Sequence, residues 1–318
     1  MVDIASPENP KIKEARKLLT AKGRERSGRF LLEGLRLIEE AFFSGIRLET
    51  LFYTPEFAGG ERGRLLLENV KKQGVKTFSV SERVSRALSD TEQPQGLIAV
   101  AQIPVAPPKR PADAMATDPT AAHAIVTDAT ATSPRPWGNS VWEAVLNRDA
   151  APDTLPPWAT PANFAQGTAP LVLLADGVQD PGNLGTMIRA ADAAGATAVL
   201  TTPGTVDIYN PKVLRAGMGS HFHLPVVPLA DVASFLAQVA ELSFLLLVAE
   251  AQASTSIYEV DLRGPTIFAV GNEGAGVSPV LRAAGRPVAI PMPGRAESLN
   301  AAMAATILLF EAVRQRRQ

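Results

Sequence analysis

The chain has no cysteine and only three histidines in 318 residues. Without cysteine it can form no disulfide, no thiolate metal site and no cysteine nucleophile. Three histidines (His123, His221 and His223) are too few to suggest a histidine-based metal site, so we predict no bound metal. No apolar run approaches the ~20 residues that span a bilayer, and the N-terminus lacks the apolar core of a secretory signal. These absences predict a soluble, cytoplasmic protein with no membrane partner.

Net charge is also nearly absent, but its distribution is uneven. The whole chain carries −1, whereas residues 11–36 carry nine Lys or Arg against three Glu, a net +6. A local basic strip on an otherwise acidic protein is a candidate phosphate-contact surface. The same pattern is also typical of a solvated helix face. The candidate contacts are Lys11, Lys13, Arg16, Lys17, Arg29 and Arg36.

Residue patterning divides the chain into three segments. Residues 1–103 alternate short β-rich runs with helical patterns, which is typical of a small α/β domain. Residues 104–169 are rich in proline, alanine and threonine and predict a mostly flexible linker, in which residues 139–147 could form a short docking helix. Residues 170–318 contain continuous apolar runs that predict the buried strands of a parallel sheet. A final helix that is apolar on nearly every face predicts burial, with a second subunit as a natural partner.

The first stretch with chemical interest is LVLLADGVQDPGNLGTMIRAADAAGATAVL, residues 171–200. It predicts a strand, a turn and a helix with Asn183 as N-cap and Gly195 at its end. Arg189 lies about 140° around the helix from Leu184. It therefore leaves the apolar stripe and faces either solvent or a functional site.

The second stretch is TIFAVGNEGAGVSP, residues 266–279, in which a strand delivers a glycine-rich loop. The glycine spacing is G-x-x-G-x-G, the reverse of the dinucleotide-binding pattern, which disfavours a nucleotide-dependent oxidoreductase. Glycines here indicate a tight turn or a close approach to a ligand. A tight turn alone does not require a glutamate at position 273.

The third stretch is VAIPMPGRAESLNAAMAA, residues 288–305. Pro291 and Pro293 interrupt a strand and leave backbone groups free for a ligand. Ser298 is predicted to cap the final helix. A plain strand–loop–helix connection is the alternative interpretation.

These stretches, in this order, resemble the three motifs of the SpoU (TrmH-type) branch of the SPOUT RNA methyltransferases. Residues 1–103 are similar to that family's N-terminal substrate-binding domain, through SPENPKIKEARKL and QPQGLIAV. Gly217 departs from the family, which usually has a small hydroxyl residue there. The matching motif residues are Asn183 and Arg189, then Gly271, Glu273 and Gly276, then Ile290, Pro291, Met292, Ser298, Leu299 and Asn300.

The resemblance implies an α/β protein with a C-terminal trefoil-knotted domain on a parallel sheet and a small ribosomal-protein-like N-terminal domain. It implies S-adenosylmethionine as cofactor, held by Gly271, Ile290, Met292 and Leu299, and a homodimer through the knotted domain. Arg189 is then the expected catalytic residue. Asn183, Ser298 and Asn300 would orient Arg189 and the ribose, and Glu273 would pair with a loop amide or with Arg189.

The implied reaction is methyl transfer from S-adenosylmethionine to a ribose 2′-hydroxyl of structured RNA, with ribosomal RNA favoured over transfer RNA. The basic strip would contact RNA phosphates. The alternative function is an RNA-binding protein that keeps the fold without transferase activity. Methylation of a base is disfavoured by the third motif. His221 and His223, two residues apart on a predicted strand, are expected to be structural or surface residues.

Overall fold

The structure of the protein is a computed structural model that describes residues 2–104 and 169–317. The predicted linker, including the docking helix predicted at 139–147, lies almost entirely outside the described residues. No helix within the described ranges is long and apolar enough to cross a membrane. Within these ranges no three His, Asp or Glu side chains are grouped to hold a metal ion.

Residues 2–104 form a mixed four-stranded sheet in the order β1-β4-β2-β3, with helices packed on both faces. β4 is antiparallel to both of its neighbours, and β2 runs parallel to β3. The strands are β1 (Arg29–Glu33), β2 (Leu48–Tyr53), β3 (Lys76–Ser79) and β4 (Leu97–Gln102). The helices are α1 (Pro10–Lys17), α2 (Ala21–Ser27), α3 (Leu35–Phe43), α4 (Pro55–Gly59), α5 (Glu61–Lys72) and α6 (Glu82–Leu88).

Residues 169–317 form a six-stranded sheet in the order β10-β8-β9-β5-β6-β7, and every neighbouring pair is parallel. The predicted α/β class and parallel sheet are therefore confirmed, while the threaded knot stays a prediction of the resemblance. The strands are β5 (Leu171–Asp176), β6 (Ala198–Thr201), β7 (Val226–Pro228), β8 (Leu245–Ala249), β9 (Thr266–Gly271) and β10 (Arg286–Val288). The helices are α7 (Pro181–Ala193), α8 (Pro211–Gly217), α9 (Val232–Glu241), α10 (Pro279–Ala284) and α11 (Ala301–Arg316).

The central strands β5 and β9 bring two of the predicted motifs together. Every residue of both strands is buried, which explains their uninterrupted apolar patterns. They pair in register, with Asp176 opposite Gly271 at their carboxyl ends. The loops that follow them therefore leave the same edge of the sheet, where open α/β sheets bind their ligands.

The two sheets share a hydrophobic interface. Leu214 and Phe222 of the C-terminal sheet domain belong to the same buried cluster as Phe30 and Leu32 of β1. The Phe30 and Tyr209 rings lie 4.8 Å apart between centroids. This continuous packing joins the two domains through one apolar core.

Three cationic side chains form ion pairs around that core. The buried guanidinium of Arg24 contacts Asp207, with 2.7 Å between Nε and Oδ2. Arg24 belongs to the basic strip, but its guanidinium is already paired with Asp207 at the domain interface. Arg215 contacts Asp90, and His223 lies between Asp192 and Glu40 at 2.8 Å and 3.2 Å.

Two predicted helix caps are wrong by two or three residues. The N-cap of α7 is Asp180, whose side chain accepts from the Asn183 amide at 2.7 Å. The missing N–H and fixed φ of Pro181 suit the first helical position, so the helix begins before Asn183. The N-cap of α11 is Asn300 and not Ser298, because the Asn300 side chain accepts from the amides of Ala302 and Met303.

The prediction that His221 and His223 share a strand is also wrong. His221 lies in a 3₁₀ turn, Ser220–Phe222, and His223 directly follows it. His221 is fully buried, and neither ring nitrogen makes a well-aligned hydrogen bond with a described residue. Burial lowers the pKa of His221 to about 4, opposed in part by a backbone interaction with Ile208. His221 is therefore a neutral core residue.

Candidate active site

The side chains of Asn183, Glu273 and Asn300 meet at the carboxyl edge of the parallel sheet. Glu273 Oε1 accepts hydrogen bonds from Asn183 Nδ2 and from Asn300 Nδ2, both at 2.7 Å. Asn300 Nδ2 also donates to Asn183 Oδ1 at 2.9 Å. We call these three residues the Asn–Glu cluster. One residue from each of the three motifs contributes to it, although the motifs lie far apart in the chain.

Helix capping holds both asparagines of the cluster in place. Asn183 is anchored through its backbone, which donates to the cap residue Asp180. The Oδ1 atom of Asn300 is occupied by the first amides of α11. Its Nδ2 group must then point back to Glu273 and Asn183, because an amide side chain is planar.

The glycine-rich loop reaches the cluster through close backbone packing. Asn272 and Gly276 exchange two backbone hydrogen bonds, and the Asn272 side chain caps Gly274 at 2.8 Å. A methyl group at Gly271 would lie 2.2 Å from the Gly276 carbonyl oxygen, so only glycine permits this turn. Buried Asp176 holds the far end of the loop by accepting from the Ser278 amide at 2.6 Å.

A cavity of about 470 Å³ adjoins the cluster. Its volume is in the range of small-molecule and cofactor sites. It is lined by all four residues predicted to hold the cofactor and by two of the predicted catalytic residues, Glu273 and Ser298. The lining residues used below are Gly271, Ile290, Met292, Leu299, Glu250 and Arg282.

The segment from residue 290 to residue 299 forms one wall of this cavity. None of its backbone or side-chain groups makes a hydrogen bond with another described residue. Unpaired backbone groups beside apolar side chains such as Ile290 and Leu299 suit a flat heterocycle with a polar edge. These residues therefore fit the adenine of S-adenosylmethionine.

Arg189 has no hydrogen bond with the Asn–Glu cluster within the described part of the chain. It projects from α7 as an exposed side chain with no hydrogen bond or ion pair to any described residue. Among the described residues of one chain, Arg189 makes no hydrogen bond with Glu273, Asn183, Ser298 or Asn300, so its expected place beside them stays a prediction. The side-chain amides of Asn183 and Asn300 are the groups that contact Oε1 of Glu273.

Sequence reasoning missed an ion pair at the rim of the cavity. Glu250 follows β8 directly, and its Oε1 lies 3.0 Å from Nε of Arg282. Both residues line the cavity. The sequence could have indicated Glu250, because a polar residue directly after a buried parallel strand lies at the ligand-binding edge of the sheet.

The six predicted RNA-contact residues occupy different environments. Lys13 pairs with Glu8 at 2.6 Å, and Arg29 pairs with Glu14 and Glu49. The other four side chains are exposed and have no carboxylate within ion-pair distance among the described residues: Lys11, Arg16, Lys17 and Arg36. Their role in RNA binding stays a prediction.

Comparison with known proteins gives matches along the whole chain. The SpoU rRNA Methylase family model matches residues 170–310, and the MRM3-like substrate binding domain model matches residues 9–99. The 23S rRNA (guanosine(2553)-2′-O)-methyltransferase RlmP of Bacillus subtilis is 32% identical over 98% of this chain and 98% of its own.

Solved structures match with similar coverage. A crystal structure of an RNA 2′-O ribose methyltransferase is 33% identical, covers 99% of both chains and has a TM-score of 0.69. The SpoU methyltransferase AviRb from Streptomyces viridochromogenes, in complex with the cofactor AdoMet, is 28% identical over 98% of this chain and 99% of its own, with a TM-score of 0.73.

Proposed function

This chain belongs to the SpoU rRNA methylase family and is an S-adenosylmethionine-dependent RNA ribose 2′-O-methyltransferase, and we propose that the Asn–Glu cluster and its adjoining cavity form the active site. The observation that carries this proposal is the meeting of three separate motifs at one oxygen of Glu273. Asn183, Glu273, Ser298 and Asn300 form the reacting side of the site, and Arg189 completes it.

The substrate we propose is a guanosine of 23S ribosomal RNA. The support is RlmP of Bacillus subtilis, whose name specifies that substrate and which matches this chain over nearly its full length. Residues 1–103 would hold the RNA and residues 170–318 would carry the reaction, in agreement with the two family models. Ribosomal RNA as substrate supports a cytoplasmic protein.

S-adenosylmethionine would occupy the cavity beside Glu273. Ile290, Met292 and Leu299 supply apolar walls for the adenine, and Gly271 lets the backbone approach closely. Glu250 lies at the rim, where a carboxylate can accept hydrogen bonds from ribose hydroxyls. When bound, the cofactor supplies a methyl group on positively charged sulfur, and the bonding electron pair stays on sulfur after transfer.

The protein's part in the reaction is to position the ribose and to remove one proton. Oε1 of Glu273 is engaged by the two asparagines, whereas Oε2 has no partner among the described residues. Oε2 is the atom that accepts the proton of the 2′-hydroxyl as the oxygen takes the methyl group. A guanidinium is a poor base, because it stays protonated in proteins and has no lone pair that accepts a proton. Arg189 instead holds the target phosphate and stabilises negative charge on the ribose oxygen.

Among the described residues of one chain, Arg189 forms no hydrogen bond or ion pair with Glu273, which supports a homodimer through the C-terminal domain. Met303 and Phe310 on α11 are 62% and 44% exposed, and their spacing of seven residues places them on one face of the helix. α11, whose N-cap is Asn300, packs against α7, which carries Arg189. Burial of this face against a second copy would bring Arg189 of one chain towards the cluster of the other.

The methyl transfer is tested by mapping 2′-O-methylated nucleotides in total RNA after incubation with protein and S-adenosylmethionine. We expect a single new site in 23S ribosomal RNA, at a guanosine. Modification of transfer RNA alone would contradict the proposed substrate. No modification of any RNA, despite measurable cofactor binding, would contradict the proposed active site.

We predict that Arg189→Ala loses at least ~100-fold in kcat with little change in cofactor affinity, because Arg189 acts on the RNA and not on the cofactor. Mixing Arg189→Ala chains with Glu273→Ala chains tests whether Arg189 acts in the active site of its own chain or in that of the partner chain. If each site uses Arg189 of the other chain, mixed dimers restore about a quarter of wild-type activity. If Arg189 acts within its own chain, the mixture stays inactive.

A further inference from the structure

The N-terminal sheet domain contains a second cleft that shares no lining residue with the cofactor cavity. It has a volume of about 880 Å³. Its walls come from α1, from the turn that leads from α3 into β2, and from the turn that leads from α5 into β3. β2 and β3 run parallel, with Thr50 opposite Lys76, so both turns lie at the same end of the sheet.

The cleft carries a surplus of positive charge. Its lining includes four basic residues (Lys11, Arg29, Arg47 and Lys76) and two acidic ones (Glu14 and Glu49). Arg29 contacts both acids, at 2.6 Å to Glu14 and 3.4 Å to Glu49. Among the described residues, Lys11, Arg47 and Lys76 therefore have no carboxylate partner.

The position of Lys11 is restricted by an aromatic side chain. Its ammonium nitrogen lies 5.5 Å from the centroid of the Phe78 ring, which is a cation–π distance. Phe78 in turn stacks on Phe52 with 6.0 Å between ring centroids. The cation is thus held at the wall of the cleft without being neutralised.

An exposed aromatic residue, Phe43, directly follows a residue that lines the cleft, Phe42. Phe43 is 68% exposed at the end of α3, and its neighbours Phe42 and Gly45 line the cleft. Its ring meets Phe42 edge-on, with 5.5 Å between centroids. Unpaired RNA uses both kinds of group, since phosphates bind cations and splayed bases stack on aromatic rings.

We propose that this cleft binds an unpaired segment of the RNA substrate, with phosphates on Lys11, Arg47 and Lys76 and a base on Phe43. The proposal rests on the proposed function and specifies which surface of the N-terminal domain holds the RNA. A cleft of this volume encloses a small number of nucleotides and not an RNA helix. Two of its cations, Arg47 and Lys76, lie outside the basic strip of residues 11–36.

The chain offers a matched control for these two cations. Arg16 and Lys17 are also one arginine and one lysine, both exposed and without a carboxylate partner among the described residues. They belong to the basic strip but do not line the cleft. Removing either pair lowers the net charge by the same amount, so a difference between the two variants reports position and not charge.

The test compares Arg47→Gln/Lys76→Gln with Arg16→Gln/Lys17→Gln by fluorescence anisotropy, using a short labelled unpaired RNA and a duplex of the same sequence. We expect the cleft variant to bind unpaired RNA at least tenfold more weakly. Its slope of log K against log salt should flatten by about 1.4, the value for two phosphate contacts. We expect the control variant to lose less than half of this effect on a logarithmic scale.

Phe43→Ala should weaken binding of unpaired RNA about fivefold or more and leave duplex binding unchanged. Equal losses in the two double variants, or no loss in the cleft variant, would overturn the proposal. Calorimetric titration with S-adenosylmethionine verifies that each variant keeps an intact C-terminal site. Binding is measured without cofactor, so a protein that binds RNA through the cleft but transfers no methyl group would contradict only the proposed function.

Discussion

The two carboxylate oxygens of Glu273 have different surroundings. Oε1 is shared by the amide groups of Asn183 and Asn300, whereas Oε2 has no partner within the described ranges. Two neutral donors on one oxygen fix the carboxylate without neutralising it. The second oxygen then remains available to a substrate hydroxyl.

We predict that Glu273→Gln lowers kcat by about 100-fold or more while leaving cofactor affinity within about twofold. Glutamine keeps an oxygen that both asparagines can contact, but its second group is an amide that accepts no proton. The measurement is single-turnover methyl transfer at saturating RNA across a range of pH. Wild-type rates in this variant would remove Glu273 from proton transfer and leave it a positioning residue.

The residues of the site were predictable from the sequence, but their pairing was not. The three motifs gave Asn183, Glu273 and Asn300 individually. Their contacts depend on the register of β5 with β9 and on the exact first residue of α11, neither of which follows from local patterns. The same limit explains why a loop amide and Arg189 both stood as expected partners of Glu273.

At the scale of secondary structure, the side chain of Asn300 at the start of α11 makes two separate contacts. Oδ1 of Asn300 caps the helix, and Nδ2 of the same group holds Glu273. A serine at position 298 could provide neither contact in this arrangement, since the helix begins only at Ala301. Helix stability and active-site geometry are therefore coupled at Asn300.

Two substitutions separate the effect of the helix cap from that of the hydrogen bond to Glu273. We predict that Asn300→Ala lowers the free energy of unfolding by about 1 kcal/mol, the usual loss for a helix cap, and also lowers kcat. Asn300→Ser keeps a side-chain acceptor of comparable strength for the helix cap, so its stability should stay near wild type. It loses the donor to Glu273, so its kcat should fall as far as that of the alanine variant.

Urea unfolding and steady-state kinetics on both variants provide the measurement. Equal stability losses in the two variants would show that the cap contact contributes little. Wild-type kcat in the serine variant would show that the hydrogen bond from the Asn300 amide to Glu273 is dispensable.

The elements predicted best are those with the strongest local pattern. The buried strands β5, β8 and β9 and the long helix α11 stood out because continuous apolar runs allow few other structures. Short elements such as β7, α2, α4 and α6 have only three to seven residues, which is too short a pattern to predict them individually. The family and activity predicted from three ordered motifs are confirmed by full-length relatives.

At the scale of the whole molecule, His223 links the two domains electrostatically. Hydrogen bonds with Asp192 and then with Glu40 raise the pKa of His223 to about 9. Asp192 lies on α7, and Glu40 lies on α3 of the other domain. The protonated imidazole thus bridges two carboxylates across the domain interface.

We predict that the stability conferred by His223 is lost as the pH rises. An unfolded histidine has a pKa near ~6.5, so the contribution is complete below that value and disappears as the pH rises through about 9. The free energy of unfolding of wild type minus that of His223→Gln should fall by on the order of 1 kcal/mol between pH 6.5 and 9.5. His221 is neutral throughout this window and cannot produce the effect.

The measurement is urea unfolding of both proteins at several pH values. A difference between them that stays constant with pH would contradict the bridge. A difference that grows with pH would indicate that His223 is neutral in the folded protein.

The shared core of Phe30, Leu214, Tyr209 and Phe222 has a consequence for modularity. The N-terminal domain is contiguous in sequence, yet part of its interior is supplied by residues more than a hundred positions downstream. A chimera that exchanges only the first hundred residues between relatives would leave an apolar face without its counterpart. Recombination of RNA specificity between such enzymes must therefore carry α8 and the Ser220–Phe222 turn along with the N-terminal domain.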